Sequence, residues 1–384
     1  MIQISPETQL FIREHSSDDV RTLALQAKKY PDINMPTAIT QIAGRQVAAE
    51  KIPSWREIEE IWYPKHLSLE QCSSEITARY KARLFQGDSL TDLTGGFGID
   101  CSFLATGFKS ATYVERQEEL CEIAAHNFPI LNLNHINVRN EDGVAYLQTM
   151  SPVDCIFLDP ARRNEHGGKT VAISDCEPNV AELEALLLSK ANRVMIKLSP
   201  MLDLSLALKE LKHTQEIHIL SVNNECKELL ILLRQTSPAE IAIHCVNLLT
   251  KGTQEEQHLV FTREQEQRSQ CTYTDSLGNY LYEPNASLLK AGAFRSIAAA
   301  YPVRKLHPNS HLYISDSFIE NFPGRIFRIV NQCSFNKKEV KENLADLKKA
   351  NVTVRNFPAT VAELRKRLHL TEGGDTYLFA STLN

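Results

Sequence analysis

Between Asp88 and Gln235 the chain alternates short apolar runs with amphipathic stretches, a rhythm that few folds accommodate. Strands are expected at 89–93, 111–114, 136–139, 154–158, 193–198, 216–222 and 227–234, with helices between most of them, notably at 117–128 and 182–190. Strand, helix and strand in succession close as a right-handed crossover, so the expected product is a largely parallel sheet covered on both faces. Only the turn at 223–226 separates the last two runs. So short a link cannot carry a crossover, and those two strands are expected to pair antiparallel at the sheet edge.

The first strand runs into a turn, Leu90-Thr-Asp-Leu-Thr-Gly-Gly-Phe-Gly-Ile-Asp100. Gly95, Gly96 and Gly98 let the backbone turn tightly and approach a ligand without a Cβ collision. The helix that follows presents free N–H groups and a positive dipole end. Such a cradle suits a pyrophosphate or the carboxylate of a methionine moiety. Two residues separate these. A dinucleotide fingerprint needs a third glycine where Cys101 stands, and Asp92 would repel a pyrophosphate but accept an α-ammonium. A turn without a ligand is the alternative. Glu115, ending the second strand, can accept both hydroxyls of a ribose, a feature shared with NAD sites. Asp142, in Asn140-Glu-Asp-Gly143, is placed to accept from an adenine amine, to N-cap a helix at 144–149, or to do both.

The fourth strand ends in Ile156-Phe-Leu-Asp-Pro-Ala-Arg-Arg163. That puts Asp159 at the carboxyl edge of the sheet, where ligands bind in open α/β folds. Asp159 can orient an exocyclic amine, and Pro160 fixes the backbone so that its carbonyl takes a second hydrogen bond. Arg162, Arg163 and Lys169 would surround the site with charge suited to phosphate, or form a solvated surface turn. Lys197 either lines the same pocket or snorkels outward.

Ahead of this region the residues read as helices, at 18–28, 37–50, 54–62 and 68–84. Behind it, strands at 241–249, 258–262 and 311–315 accompany an apolar helix at 286–300. A β-α-β-α-β tail follows from 325. The net charge of −5 is uneven: residues 319–384 hold 11 Lys+Arg against 7 Asp+Glu, or +4, and the remainder carries −9. A basic tail on an acidic body is compatible with attraction to phosphates or with a solvated helix face. The nine cysteines form no Cys-x-x-Cys pair, and neither they nor the histidines show metal-ligand spacing, so no metal is assigned. The odd cysteine count, the absence of a signal-like N-terminus and the lack of an apolar run of about 18 residues suggest a soluble, cytoplasmic protein without a membrane partner.

These motifs resemble class I S-adenosylmethionine (SAM) methyltransferases. Asp92-Leu-Thr-Gly-Gly-Phe-Gly98 is similar to motif I with Thr94 in place of the first glycine, Glu115 to motif II, and Asp159-Pro160 to motif IV. The whole chain resembles a bacterial family in which such a domain follows a helical segment and precedes a THUMP-like domain, the last carried by Glu283-Pro-Asn-Ala-Ser-Leu-Leu-Lys-Ala-Gly292. Gln71-Cys-Ser-Ser-Glu-Ile-Thr-Ala-Arg-Tyr-Lys81 is similar to the helix bordering the SAM pocket in trimethylguanosine synthase-type RNA guanine-N2 methyltransferases, which adds Ser74, Glu75 and Thr77 as secondary candidates.

The resemblance implies an α/β protein: a helical N-terminal domain (1–86), a seven-stranded Rossmann-like core (87–235), a THUMP-like α+β domain (236–318) and a small ferredoxin-like α+β unit (319–384). It implies SAM as cofactor, held by Asp92, Thr94, Gly95, Gly96, Phe97, Gly98, Glu115 and Asp142, with Asp159, Pro160 and Arg162 catalytic. Ala161-Arg162 departs from the proline and stacking aromatic of nucleobase amino-methyltransferases, yet a guanidinium can also stack on a base. The expected reaction is methyl transfer to a nucleobase amine, guanine N2 favoured, of structured RNA such as rRNA or tRNA. A small-molecule or protein methyltransferase and a non-catalytic RNA-binding or assembly factor are the alternatives.

Overall fold

The computed structural model describes residues 4–162, 172–236, 238–252 and 255–383. Arg163, Lys169 and the side chain of Arg162 lie outside the described residues. The chain gathers into two compact units, Met1–Gln215 with Leu229–Pro238, and Glu216–Glu228 with Ala239–Asn384. The expected helical segment and most of the expected Rossmann-like segment thus share the first unit, while Glu216–Glu228 falls in the second.

That unit is built on β1 (Gly87–Asp92), β2 (Phe108–Glu115), β3 (Ile136–Asn140), β4 (Val153–Leu158) and β5 (Ala191–Leu198). Their order is β3-β2-β1-β4-β5, all parallel. After β6 (Thr214–Val222), the chain returns as β7 (Glu225–Arg234), whose last six residues pair antiparallel with β5. Asn223 and Asn224, with φ of 48° and 68°, form the two-residue turn between β6 and β7. Asparagine tolerates that left-handed region, and two such residues in a row suit the tight turn of an antiparallel hairpin. Residues Cys155 to Leu158 of β4 and Val194 to Leu198 of β5 are buried without a break, as strands covered on both faces must be.

The N-terminal helices Pro6–Glu14, Val20–Leu25 and Met35–Lys51 are each capped by a side chain, from Ser5, Asp19 and Asn34. The first lacks an apolar period in the sequence, but Ser5-Pro6 is a good helix start. The helix expected over 54–62 shrinks to Pro53–Arg56. Beyond it, docking overrides periodicity: the Asn127 amide accepts the Trp62 N–H and donates to the Trp62 C=O, both at 2.9 Å. The indole stacks on His126 with centroids 3.6 Å apart.

In the second unit, β8 (Ala242–Leu248) lies parallel to β6 and antiparallel to β9 (Glu256–Thr262). A further sheet joins β10 (Tyr280–Pro284), β11 (Arg304–Lys305), β12 (Tyr313–Ser315) and β13 (Gly324–Arg328) in the order β11-β12-β10-β13. The helix expected at 286–300 is two, Ala286–Ala291 and Phe294–Ala300, because Gly292 turns left-handed at φ 74° between them. The tail packs helices Lys337–Leu344 and Val361–Leu368 with a parallel pair, β14 (Asn351–Arg355) and β15 (Tyr377–Ser381). Its first expected strand, β13, pairs with β10 instead. Buried Glu283 on β10 explains part of this preference: it accepts from Arg325 Nε and Arg355 Nη2, each at 2.8 Å.

All nine cysteines are unpaired thiols, and among the described residues no helix is long and apolar enough to cross a membrane. Asn127→Ala would strip partners from a half-buried N–H and C=O of Trp62, and should lower the unfolding free energy by about 1–3 kcal/mol. Urea denaturation measures this, and an unchanged midpoint would show that the Asn127–Trp62 clasp is not holding the N-terminal segment.

Candidate active site

Parallel strands bring their carboxyl ends to one edge. In this sheet that edge collects Asp92 from β1, Glu115 from β2, Asp159 just past β4 and Lys197 from β5. Asp92 pairs in register with Tyr113 on one side and Phe157 on the other, which places the glycine turn beside the Asp159 strand end.

Asp92 is 1% exposed. Its Oδ1 accepts the Thr94 N–H at 3.0 Å, while Oδ2 is buried with no hydrogen-bond partner among the described residues. Desolvation raises this carboxyl well above the ordinary range, against the pull of the Thr94 N–H and with repulsion from Asp100, Asp159 and Glu115 added. The turn needs its glycines: Gly96 and Gly98 sit at φ 54° and 88°, and a Cβ on Gly95 would lie 2.2 Å from the Tyr113 ring. Glu115 braces the turn, accepting from Gly96 N–H at 2.9 Å and from Gln117 N–H at 2.8 Å through different oxygens.

Thr94 stands where the resembling motif has glycine, and its hydroxyl ties the turn to the neighbouring strand end, Oγ1 accepting the Asp159 N–H at 2.6 Å. Phe97 is committed to the core, buried against Trp55 and Tyr63 with centroids 5.3 and 6.2 Å away. Asp142 caps the helix Gly143–Thr149, its Oδ1 accepting from Val144 and Ala145 N–H at 3.0 Å. The residue is otherwise exposed. Pro160 is buried, and Ala161–Arg162 pairs antiparallel with Cys176–Glu177.

Behind Asp159 runs an alternating chain of charge. Lys197 Nζ lies 2.6 Å from Asp159 Oδ2 and 3.4 Å from Asp100 Oδ2. Fully buried Lys81 reaches Asp100 Oδ1 at 3.0 Å, and Ser73 Oγ donates to Asp100 Oδ2 at 2.7 Å. Burial alone would raise the Asp100 carboxyl, but Lys81, Lys197 and Ser73 together outweigh it and hold it below the usual range. For Asp159, desolvation prevails over Lys197 and the carboxyl is raised. Its side chain keeps 36% exposure, so it is the member of the chain that opens to solvent. Lys197 is therefore ion-paired inside the site, not snorkelling.

Sequence reasoning misses Ser73, Lys81 and Asp100, although the first two flank the candidates Ser74, Glu75 and Thr77. Those candidates serve the helix entry: Ser74 Oγ lies 3.2 Å from Thr77 Oγ1, and Glu75 accepts the Ser54 N–H at 2.8 Å and pairs with Arg79. A lysine among the buried positions of Glu75–Leu84 was the available signal. A separate cavity of ≈ 200 Å³ beside the Trp62–His126 stack, lined by Arg13, Gln41 and Arg45 among others, contains none of these groups.

The chain is similar over its full length to a crystallised candidate methyltransferase from Porphyromonas gingivalis W83, with 34% identity, 100% of this chain and 96% of that one covered, and a TM-score of 0.86. A candidate methyltransferase from Streptococcus mutans in complex with SAH shares 12% identity over 42% of this chain and 96% of its own, at a TM-score of 0.30. An rRNA methylase from Streptococcus thermophilus shares 13% over 41% and 93%, also at 0.30. Both are too remote to bear on this chain. Residues 280–323 match a ferredoxin-like domain family and residues 324–384 a THUMP domain-like family. That order is the reverse of the one expected from Glu283–Gly292. No curated protein matches.

Asp92 holds its proton to higher pH in the folded chain than near 3.9, the ordinary unfolded value. The folded state therefore binds the extra proton, and stability is lost as pH rises from about 4 toward the raised value. Asp92→Asn removes that loss. Thermal melts of the two proteins should agree near pH 4 and diverge in the variant's favour as pH rises; a variant equally or less stable at neutral pH would contradict the buried, orphaned carboxyl.

Proposed function

This chain belongs to the same family as the Porphyromonas gingivalis methyltransferase candidate, and on that premise we propose that it is a SAM-dependent methyltransferase acting on a nucleobase amine of structured RNA, with guanine N2 the favoured acceptor. One observation carries the cofactor reading. Asp92 Oδ2 is a buried acceptor with no partner among the described residues, a condition that costs about 1–3 kcal/mol and that a ligand ammonium would relieve. It sits at the mouth of a turn whose glycines leave room for a ligand, since nothing but the Thr94 carbonyl, 3.8 Å away, approaches a Cβ built on Gly96.

In this reading Asp92 takes the α-ammonium of SAM and the backbone from Thr94 through Gly98 cradles the methionine carboxylate. Glu115 retains a second lone pair on each oxygen for the ribose hydroxyls, and Asp142 keeps Oδ2 for the adenine amine. Bound SAM supplies an electrophilic methyl group on a sulfonium. Asp159 and the Pro160 carbonyl orient the acceptor amine, and the Asp159 carboxylate receives the proton that the methylated nitrogen gives up. A carboxyl raised by burial is the better matched proton acceptor. Lys197 fixes the carboxylate at 2.6 Å and offsets its charge. Arg162, on the short strand just after Pro160, is the proposed base or phosphate contact.

Two features support RNA: the excess of 11 Lys+Arg over 7 Asp+Glu in residues 319–384, and the THUMP domain-like match to 324–384. Electrostatic contact with phosphates makes affinity fall steeply with salt.

Methyl-labelled SAM, incubated with the protein and with RNA, protein and metabolites from cells lacking it, should label RNA at N2-methylguanosine. Label in protein or metabolites alone would replace the acceptor. Asp159→Ala should reduce transfer by about 10²–10⁴ while SAM still binds, whereas Asp92→Ala should weaken SAM binding itself. Retained turnover in Asp159→Ala would remove that residue from the chemistry.

A further inference from the structure

The sequence suggested no metal ligands, because no two histidines stand at ligand spacing. Strand pairing in the second unit supplies what spacing does not. β6 and β8 run parallel with His218 directly opposite His244 and Glu216 opposite Ala242. Residues two apart along a strand share a face, so Glu216, His218 and His244 project from one side of the sheet. β9 sets Val260 opposite His244 and His258 opposite Val246, which adds His258 to the same face.

We propose that Glu216, His218 and His244 form a binding site for a divalent transition metal of the zinc class, with His258 as the hydrogen-bond partner behind His244. The side chains already converge. Glu216 Oε2 lies 3.3 Å from His218 Nε2 and 3.9 Å from His244 Nε2, and all three ligand atoms fall within 4.8 Å of one another. Bonds of about 2.0–2.2 Å in a tetrahedral zinc site put neighbouring ligand atoms roughly 3.3–3.6 Å apart. Two imidazoles and one carboxylate form a donor set of the kind catalytic zinc sites use, with a fourth position left to water.

The outer contacts fit as well. A metal-bound histidine gives its second ring N–H to an acceptor, which orients the ring and strengthens the ligand. His244 Nδ1 lies 3.2 Å from His258 Nε2, so His244 can donate there while Nε2 faces the metal. The His218 and His244 rings stack at 4.3 Å with an 11° interplanar angle, which limits ring rotation. His218 is 2% exposed, while Glu216 and His244 keep access to solvent for entry of the ion. A bound cation would bridge β6 and β8, strands that are neighbours in space but not in sequence.

The test uses the full chain stripped of metal. Zn²⁺ titrated against a chromophoric chelator should bind at one equivalent per chain, and saturation should raise the melting temperature. Co²⁺ should give tetrahedral d–d bands without the thiolate charge-transfer band that ligation by any of the nine cysteines would produce. His244→Ala and His218→Gln should abolish this stoichiometric binding, and His258→Ala should weaken it by about 10–100-fold. Glu216→Gln, at the solvent-facing ligand, serves if a histidine variant does not fold, and it too should lose binding. The proposal is overturned by no stoichiometric binding in the parent chain, by a thiolate band, or by undiminished affinity in the ligand variants.

Discussion

A charge enters the interior of the first unit at Asp100, and the carboxyl edge of the sheet is arranged around neutralising it. Lys81 comes from the helix before β1, Asp100 from the helix after it, Lys197 from β5, and Asp159 follows β4. Two ammonium groups and two carboxylates alternate, so every buried charge has an opposite neighbour. Removing one partner from such an arrangement strands the other, which typically costs about 3–5 kcal/mol. The consequence for chemistry is positional. With Lys81 held by Asp100, Lys197 leans to Asp159 at 2.6 Å and lies 3.4 Å from Asp100. The outermost carboxylate is thereby aimed, and Thr94 pins its backbone from the other side.

Asp92 is treated in the opposite way. It lies in the same neighbourhood, yet among the described residues no cation pairs with it, and Asp100, Asp159 and Glu115 all push against its ionisation. A fold optimised only for stability would place an amide or an apolar residue there. Keeping an under-partnered carboxyl there costs a few kcal/mol that a cationic ligand group can offset. The two neighbouring aspartates thus have different duties because their surroundings differ, one saturated with partners and one left short.

Much of this was legible in the sequence, and the reason is local physics. Short continuous apolar runs separated by amphipathic helices specify parallel strands buried on both faces, and Gly95-Gly96-Phe97-Gly98 specifies a turn that other residues resist. The tail's helices and strands were legible for the same reason. What escaped depends on register and on contacts between distant segments. Nothing near Trp62 announces that Asn127 will take its backbone groups and end a helix. Phe97 reads as a turn residue until Trp55 and Tyr63 close over it. Ser73, Lys81 and Asp100 converge only once the helices before and after β1 pack together. His218 and His244 meet only because β6 and β8 pair in one register, and a slip of one residue would send them to opposite faces.

The central claim is that Asp92 Oδ2 awaits the α-ammonium of SAM, and proton release on binding tests it most directly. At about pH 5–6 the ligand ammonium is fully protonated, so any proton shed must come from the protein. Calorimetric titration of SAM in buffers of different ionisation enthalpy counts those protons. The parent chain, whose Asp92 carboxyl is raised by burial, should release more protons on binding than Asp92→Asn, which should bind more weakly. SAM binding without proton release, or the same release in the variant, would contradict the account.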